Sequence, residues 1–218
     1  MSKDELATLL AEQVAYYRAR APEYDATTPV DDAARAELLL ALDEFRPRGR
    51  VLELACGTGQ WTAALARHAT ELTAVDASPE MLAIASARVQ DERVRFIESD
   101  ISSWEADQRY DAVFFSAWLS HVPPQHFDRF WALVAGCLTD TGRIFFIDEL
   151  PAVAAYEHTI SGAVAPAVER PLRSGARYRA VKVFYEPEQL RARLTQLGWR
   201  VEVHQGRMAT VLRHRREG

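Results

Sequence analysis

The chain has 218 residues, 48% of them apolar, and a formal net charge of −5, so it is long enough for one domain with a substantial core. The acidic balance argues against a dedicated binder of nucleic acid or of an anionic membrane surface. Only Cys56 and Cys137 are present, which makes a disulfide framework implausible, and no apolar run reaches the length of roughly eighteen residues that a membrane span needs. The opening Met1-Ser2-Lys3-Asp4-Glu5 lacks the apolar centre of a signal peptide, so a cytoplasmic location is expected.

Leu6, Leu9, Leu10, Val14 and Tyr17 recur at helical spacing and predict an amphipathic helix over residues 4–19, closed by Pro22. The segment from Tyr16 to Asp25 is rich in aromatic and basic side chains. Pro29-Val30-Asp31 predicts the start of a second helix, with Ala34, Leu38, Leu42 and Phe45 on one face and Gly49 past its end. Val51-Leu52-Glu53-Leu54 then reads as a strand. It breaks into Ala55-Cys56-Gly57-Thr58-Gly59-Gln60-Trp61, and Trp61 to Ala66 begins a helix. A glycine turn at such a junction lets backbone approach a ligand, and the free N–H groups of the helix start favour its negative or electron-rich parts. This is a nucleotide-type cofactor site, although the dinucleotide fingerprint lacks its third small residue, Thr62 standing in that place.

A second strand, Leu72 to Asp76, ends in an acid 17 residues after Gly59, about where an acid that binds ribose hydroxyls belongs. Ser78-Pro79-Glu80 opens a helix as a cap, a proline and an acid. The third strand, Val94 to Ile101, closes on Asp100-Ile101, a carboxylate suited to an exocyclic amine beside an apolar neighbour suited to the ring. The fourth runs from Tyr110 to Ser116 and leads into Ala117-Trp118-Leu119-Ser120-His121-Val122-Pro123-Pro124. Phe127, Phe130, Trp131, Val134, Cys137 and Leu138 mark a core-facing helix. Thr139 to Gly142 turns into a fifth strand over 143–147 that ends at Asp148-Glu149, acids pointing to the ligand edge as base, orienter or ion-pair partner. Strands alternating with helices imply a parallel sheet covered on both faces.

Periodicity weakens over 150–180, where prolines, glycines and arginines predict an inserted lid with one helix at 152–161. His158, Arg173, Arg177, Tyr178 and Arg179 are placed either to bind an anionic acceptor or simply to be solvated. Val181 to Tyr185 is β-rich, and Glu186-Pro187-Glu188 opens a helix carrying Leu190, Leu194 and Leu197. Trp199 to His204 and Met208 to Leu212, around Gln205-Gly206-Arg207, read as a closing antiparallel hairpin.

The series Glu53-Leu-Ala-Cys-Gly-Thr-Gly59, Val75-Asp76-Ala-Ser-Pro-Glu-Met81, Ser99-Asp100-Ile101 and Tyr110-Asp111-Ala-Val-Phe-Phe resembles the class I S-adenosylmethionine-dependent methyltransferases, over roughly residues 45–150. The resemblance implies a Rossmann-like α/β fold: a seven-stranded, mostly parallel sheet with an antiparallel last strand, helices on both faces, and a single domain. Its parts would be a helical cap at 1–45, a cofactor core at 46–150, a lid insertion at 151–180 after strand five, and the rest of the sheet at 181–218. Where many members carry glycine, this chain has Ala55.

The resemblance implies S-adenosylmethionine as cofactor, with S-adenosylhomocysteine as product and no metal. Tyr16, Arg20 and Tyr24 would fold over the cofactor; Glu53, Ala55, Cys56, Gly57, Gly59 and Trp61 would belong to the turn that meets it. Asp76, Ala77 and Met81 would hold its ribose side, Asp100 and Ile101 its adenine, and the Ser116 backbone its methionyl amine. Tyr17, Trp118, Asp148 and Tyr178 would face the acceptor. His121 would sit at the reaction centre, where an ordinary imidazole suits proton removal near pH 7 or, alternatively, braces the loop. The implied reaction is in-line methyl transfer to a small molecule, oxygen first, nitrogen or sulfur second, by a monomer or homodimer. A non-catalytic S-adenosylmethionine-binding protein and a nicotinamide-dependent oxidoreductase are the competing readings.

Overall fold

β1 (Gly49–Leu54), β2 (Ala69–Asp76), β3 (Val94–Glu98), β4 (Tyr110–Ser116) and β5 (Leu138–Asp148) run parallel in the order β3-β2-β1-β4-β5. The computed structural model describes residues 3–28, 32–205 and 210–216. Each inner strand is apolar on both sides because helices cover both faces. On one face Phe115 of β4 meets Phe130 and Trp131 of α6 (Phe127–Cys137). On the other, Phe114 stacks on Phe145, which stacks on Phe45 at the end of α3 (Asp32–Phe45). The buried residues of α3 are Ala34, Leu38, Leu42 and Phe45, the stripe its sequence predicts. Its expected opening at Pro29-Val30-Asp31 lies outside the described residues, as does the hairpin turn at Gly206-Arg207. Beyond β5 the sheet continues through β9 (Thr210–Arg216), antiparallel to β5, and then β8 (Trp199–Gln205), which α7 (Pro187–Gln196) precedes.

The expectation of one sheet is corrected: the chain has nine described strands in two sheets. β6 (Ala167–Pro171) and β7 (Arg177–Val181) form a separate antiparallel pair. Of the β-rich run expected at 181–185 only Val181 lies in a strand, as the last residue of β7, where the pairing with β6 stops; residues 182–185 are outside any strand. The helix expected at 152–161 is a short 3-10 helix, Pro151–Tyr156, followed by extended chain in which Thr159 bridges Val168. This pair of strands serves as the seat of α1 (Lys3–Arg20). Leu9 packs with Ala165, Ala167 and Val181, and Glu12 pairs with Arg179. The N-terminal helix thus rests on the segment between β5 and α7.

β1 and β4 are adjacent, and their connections leave in opposite directions, so a crevice opens beyond their carboxyl ends. Each strand is followed by an alanine in the left-handed region, Ala55 at φ 54° and Ala117 at φ 50°. This geometry costs roughly 1–2 kcal/mol without glycine, and it turns both chains sharply away from the crevice floor.

Candidate active site

The crevice holds about 700 Å³ of empty space between the strand ends and the N-terminal helices. Asp76, at the end of β2, anchors its floor. One carboxylate oxygen accepts the Gly57 N–H at 2.8 Å and the other the Ser78 N–H at 2.9 Å, which fixes the glycine turn against the start of α5 (Pro79–Arg88). Ser78 caps that helix by accepting from the Met81 N–H. Burial raises the Asp76 carboxyl, while these backbone donors oppose the shift. Asp76 lines the cavity together with Ala77, Met81, Asp100 and Ile101. A Cβ added at Gly57 would meet nothing within 4 Å, whereas one at Gly59 would press within 3.1 Å of the Ala85 backbone. Gly57 thus keeps the ligand side open, and Gly59 admits α5.

The crevice continues past Ala55 and Ser116 towards Cys56, Trp61, Asp148 and Glu149. Glu53 is buried here, accepting the Thr62 hydroxyl at 2.7 Å; burial pushes its pKa up to about 8. A carboxyl raised in the folded state contributes stability that is complete below its unfolded pKa and lost as pH rises through about 8. A ligand ammonium reaching Glu53 would draw its proton off. Titration with S-adenosylmethionine at pH 7 is therefore expected to release most of a proton, read as a dependence of the binding enthalpy on the buffer's ionisation enthalpy. Glu53→Gln should abolish that dependence; identical slopes in the two proteins would remove Glu53 from the ligand.

Tyr24 and Tyr17 form the roof with ring centres 6.3 Å apart. Asp25 ties the short helix α2 (Tyr24–Thr27) to the glycine turn by accepting from Thr58 and Gln60, and it also pairs with Arg88. His121 is buried. Its Nδ1 lies 2.7 Å from the Val181 carbonyl and its Nε2 2.8 Å from the Tyr17 hydroxyl. The expectation of an ordinary imidazole is corrected: burial, followed by the charge of Lys182 and then of Arg170 and Arg20, holds His121 well below its usual pKa, while the Val181 carbonyl opposes the shift. Behind it, the buried Lys182 donates to Ser120 and pairs with Glu149 at 2.7 Å. Asp148 accepts the Ser120 N–H.

The structure brings most of the sequence-derived residues to this crevice, Trp118 among them with its indole N–H buried and without a partner among the described residues. Four stand apart from its lining, one of them Gly59, which packs against Ala85 of α5 instead. Tyr16 is buried against Tyr178, with ring centres 5.9 Å apart. Arg20 donates to Thr27 and Thr28 and lies over the Tyr16 and Tyr24 rings. Tyr178 sits on β7 outside the roof. Conversely, Gln13, Arg170 and Lys182 emerge as neighbours of the site. Gln13 falls on the otherwise apolar stripe of α1, and Lys182 is one charge inside Val181-Lys-Val-Phe-Tyr; a polar residue in an apolar pattern was the available signal.

Among the described residues no helix is long and apolar enough to cross a membrane, and no group of three His, Cys, Asp or Glu side chains is arranged to hold a metal. A methyltransferase-domain family model matches residues 51–142. Trans-aconitate 2-methyltransferase of Escherichia coli O1:K1 is 37% identical over 87 residues, a match covering 39% of this chain and 33% of that protein. The match thus spans a third of the length of these curated relatives. The structure of a DhpI–S-adenosylhomocysteine complex matches with a TM-score of 0.85 and 39% identity, over 95% of this chain and 97% of DhpI. A DhpI complex with S-adenosylmethionine and HEP matches at 0.85 and 38%, over 96% and 98%. The N-methyltransferase NodS of Bradyrhizobium japonicum, 18% identical at a TM-score of 0.64 over 86% of this chain and 90% of NodS, shares the fold. Identity of 39% sustained over nearly the whole of two chains is common descent of the entire domain, and it makes this chain a member of the class I S-adenosylmethionine-dependent methyltransferases.

Proposed function

We propose that the protein transfers the methyl group of S-adenosylmethionine, by in-line displacement, to an oxygen of a small molecule that arrives already ionised, without a general base. The observation that carries this reading is the cationic surround of His121. After burial, the charges of Lys182, Arg170 and Arg20 disfavour a protonated imidazole, and the same charges favour an anion beside it. Arg170 spends its two terminal nitrogens on Glu157 at 2.6 and 2.7 Å, yet its buried Nε–H has no partner. An acceptor oxygen would satisfy that donor.

The crevice suits the cofactor: the open side of Gly57, the Trp118 indole unpartnered among the described residues and the Asp76 carboxylate in the lining match a nucleoside with a polar tail. Asp76 would hold the ribose, Asp100 and Ile101 the adenine, and Glu53 with the Ser116 backbone the methionyl end. S-adenosylmethionine supplies an electrophilic methyl, so positioning provides most of what the protein must add. Residues 1–45 would serve as cap and 151–180 as lid over one domain. Trans-aconitate, named in the relative from Escherichia coli, is a tricarboxylic acid, in keeping with an oxyanion acceptor.

The test is a panel of small carboxylic and other oxyacids, phenols, amines and thiols assayed for methyl transfer. Oxyacids are expected to be methylated, with kcat/KM for the acceptor, at saturating S-adenosylmethionine, flat from about pH 6 to 9 once the acceptor's own ionisation is allowed for. Transfer confined to amines or thiols, or a rate that rises through an ordinary imidazole pKa, would overturn the reading.

A further inference from the structure

We infer that the Tyr17 hydroxyl, its proton held by the Nε2 lone pair of His121, turns an electron-rich oxygen into the crevice and selects the methylated, cationic form of the cofactor over the demethylated product. The hydrogen-bond directions follow from the partners. A carbonyl only accepts, so the Nδ1 nitrogen 2.7 Å from the Val181 oxygen carries a hydrogen. A neutral ring then has a bare Nε2, and the Tyr17 hydroxyl 2.8 Å away must donate to it. Burial, followed by the cationic surround described above, keeps the ring in that neutral form. With its only proton committed, the Tyr17 oxygen offers lone pairs alone to anything else that approaches.

The arrangement is fixed from three sides. Gln13, one turn before Tyr17 on α1, is buried; its Oε1 accepts the Val181 N–H at 2.9 Å and its Nε2 donates to the His121 carbonyl at 3.4 Å. The same β7 residue therefore orients the imidazole through its carbonyl and the helix through its N–H. The Tyr17 ring meets the His121 ring edge-on with centres 5.4 Å apart. Tyr24 adds a second aromatic face to the roof.

A sulfonium carries a positive charge and polarised C–H groups, which a phenolic oxygen and aromatic faces attract. The thioether of S-adenosylhomocysteine has neither. Tyr17 is thus assigned a discriminating contact with the donor group, and His121 is a positioning residue that acts through Tyr17. The inference rests on the cofactor site read above, but not on the identity of the acceptor.

Calorimetric titration with S-adenosylmethionine and S-adenosylhomocysteine, in the absence of any acceptor, tests it. Tyr17→Phe is expected to weaken S-adenosylmethionine binding about threefold to tenfold and to change S-adenosylhomocysteine binding less than about twofold. His121→Leu should reproduce the loss of discrimination, because the hydroxyl is then free to rotate. His121→Gln, whose amide oxygen can accept the Tyr17 proton, should restore part of it. Equal weakening of both ligands by Tyr17→Phe, or an unchanged ratio in folded Tyr17→Phe, would overturn the inference while leaving the oxyanion reading in place. Failure of the unmodified protein to bind either ligand would overturn the cofactor site itself.

Discussion

Asp76→Ala is expected to weaken S-adenosylmethionine binding on the order of 100-fold, about 2–4 kcal/mol. Two losses combine. The carboxylate that would accept the ribose hydroxyls is removed, and so are the acceptors of the Gly57 and Ser78 N–H groups. Those donors are part-buried, so each left without a partner costs at most roughly 1–3 kcal/mol. The glycine turn is then no longer tied to α5. Asp76→Asn retains one carbonyl oxygen and should show a smaller loss, with its amide hydrogens facing one of the two backbone donors. Calorimetric affinities and thermal midpoints of the three proteins measure the two effects separately. A folded Asp76→Ala protein that binds S-adenosylmethionine within about threefold of the unmodified chain would show that the end of β2 does not face the ribose.

Much of this geometry is legible in the sequence because it is local. A strand that ends in Leu54 and runs into Gly57 and Gly59 can only turn there, and Asp76 follows after one helix and one strand. Phe127, Phe130, Trp131 and Val134 mark the buried face of α6 by spacing alone, and the structure buries all four. What the sequence does not show is long-range. β6 and β7 are short and polar on one side, so arginines at alternate positions read as a solvated loop; only their pairing with each other, under α1, explains the alternation. The chemistry of His121 was hidden for the same reason. Its own neighbours suggest an ordinary imidazole, whereas burial holds it neutral, followed by the charges of Lys182, Arg170 and Arg20, at least 49 positions away along the chain. Ala55 is a third case. Its side chain is compatible with the glycine motif, but that it adopts φ 54° is a property of the crevice that the strand ends enclose.

Lys182→Met should lower kcat/KM for an oxyacid acceptor on the order of 100-fold or more, because the site loses its most buried cation. A cation with almost no contact with water is screened little by salt, so its field acts at nearly full strength on a neighbouring anion. The same residue keeps company with two acids, and this gives the prediction a second readout. Burial raises the Asp148 carboxyl and Lys182 opposes that rise. Without Lys182 the Asp148 pKa climbs further. A carboxyl raised in the folded state contributes stability that is present below its unfolded pKa and lost as pH rises through its folded one. The variant should therefore melt further below the unmodified protein at pH 8 than at pH 5. Methionine preserves most of the volume and stem packing of lysine, so the deficit reflects charge rather than a cavity. Pairing the change with Glu149→Gln, which removes the partner left behind at 2.7 Å, should recover stability but not turnover. If the double variant regains methylation of the oxyacid, the role of Lys182 is to neutralise Glu149, and the acceptor's charge is met by Arg170 instead.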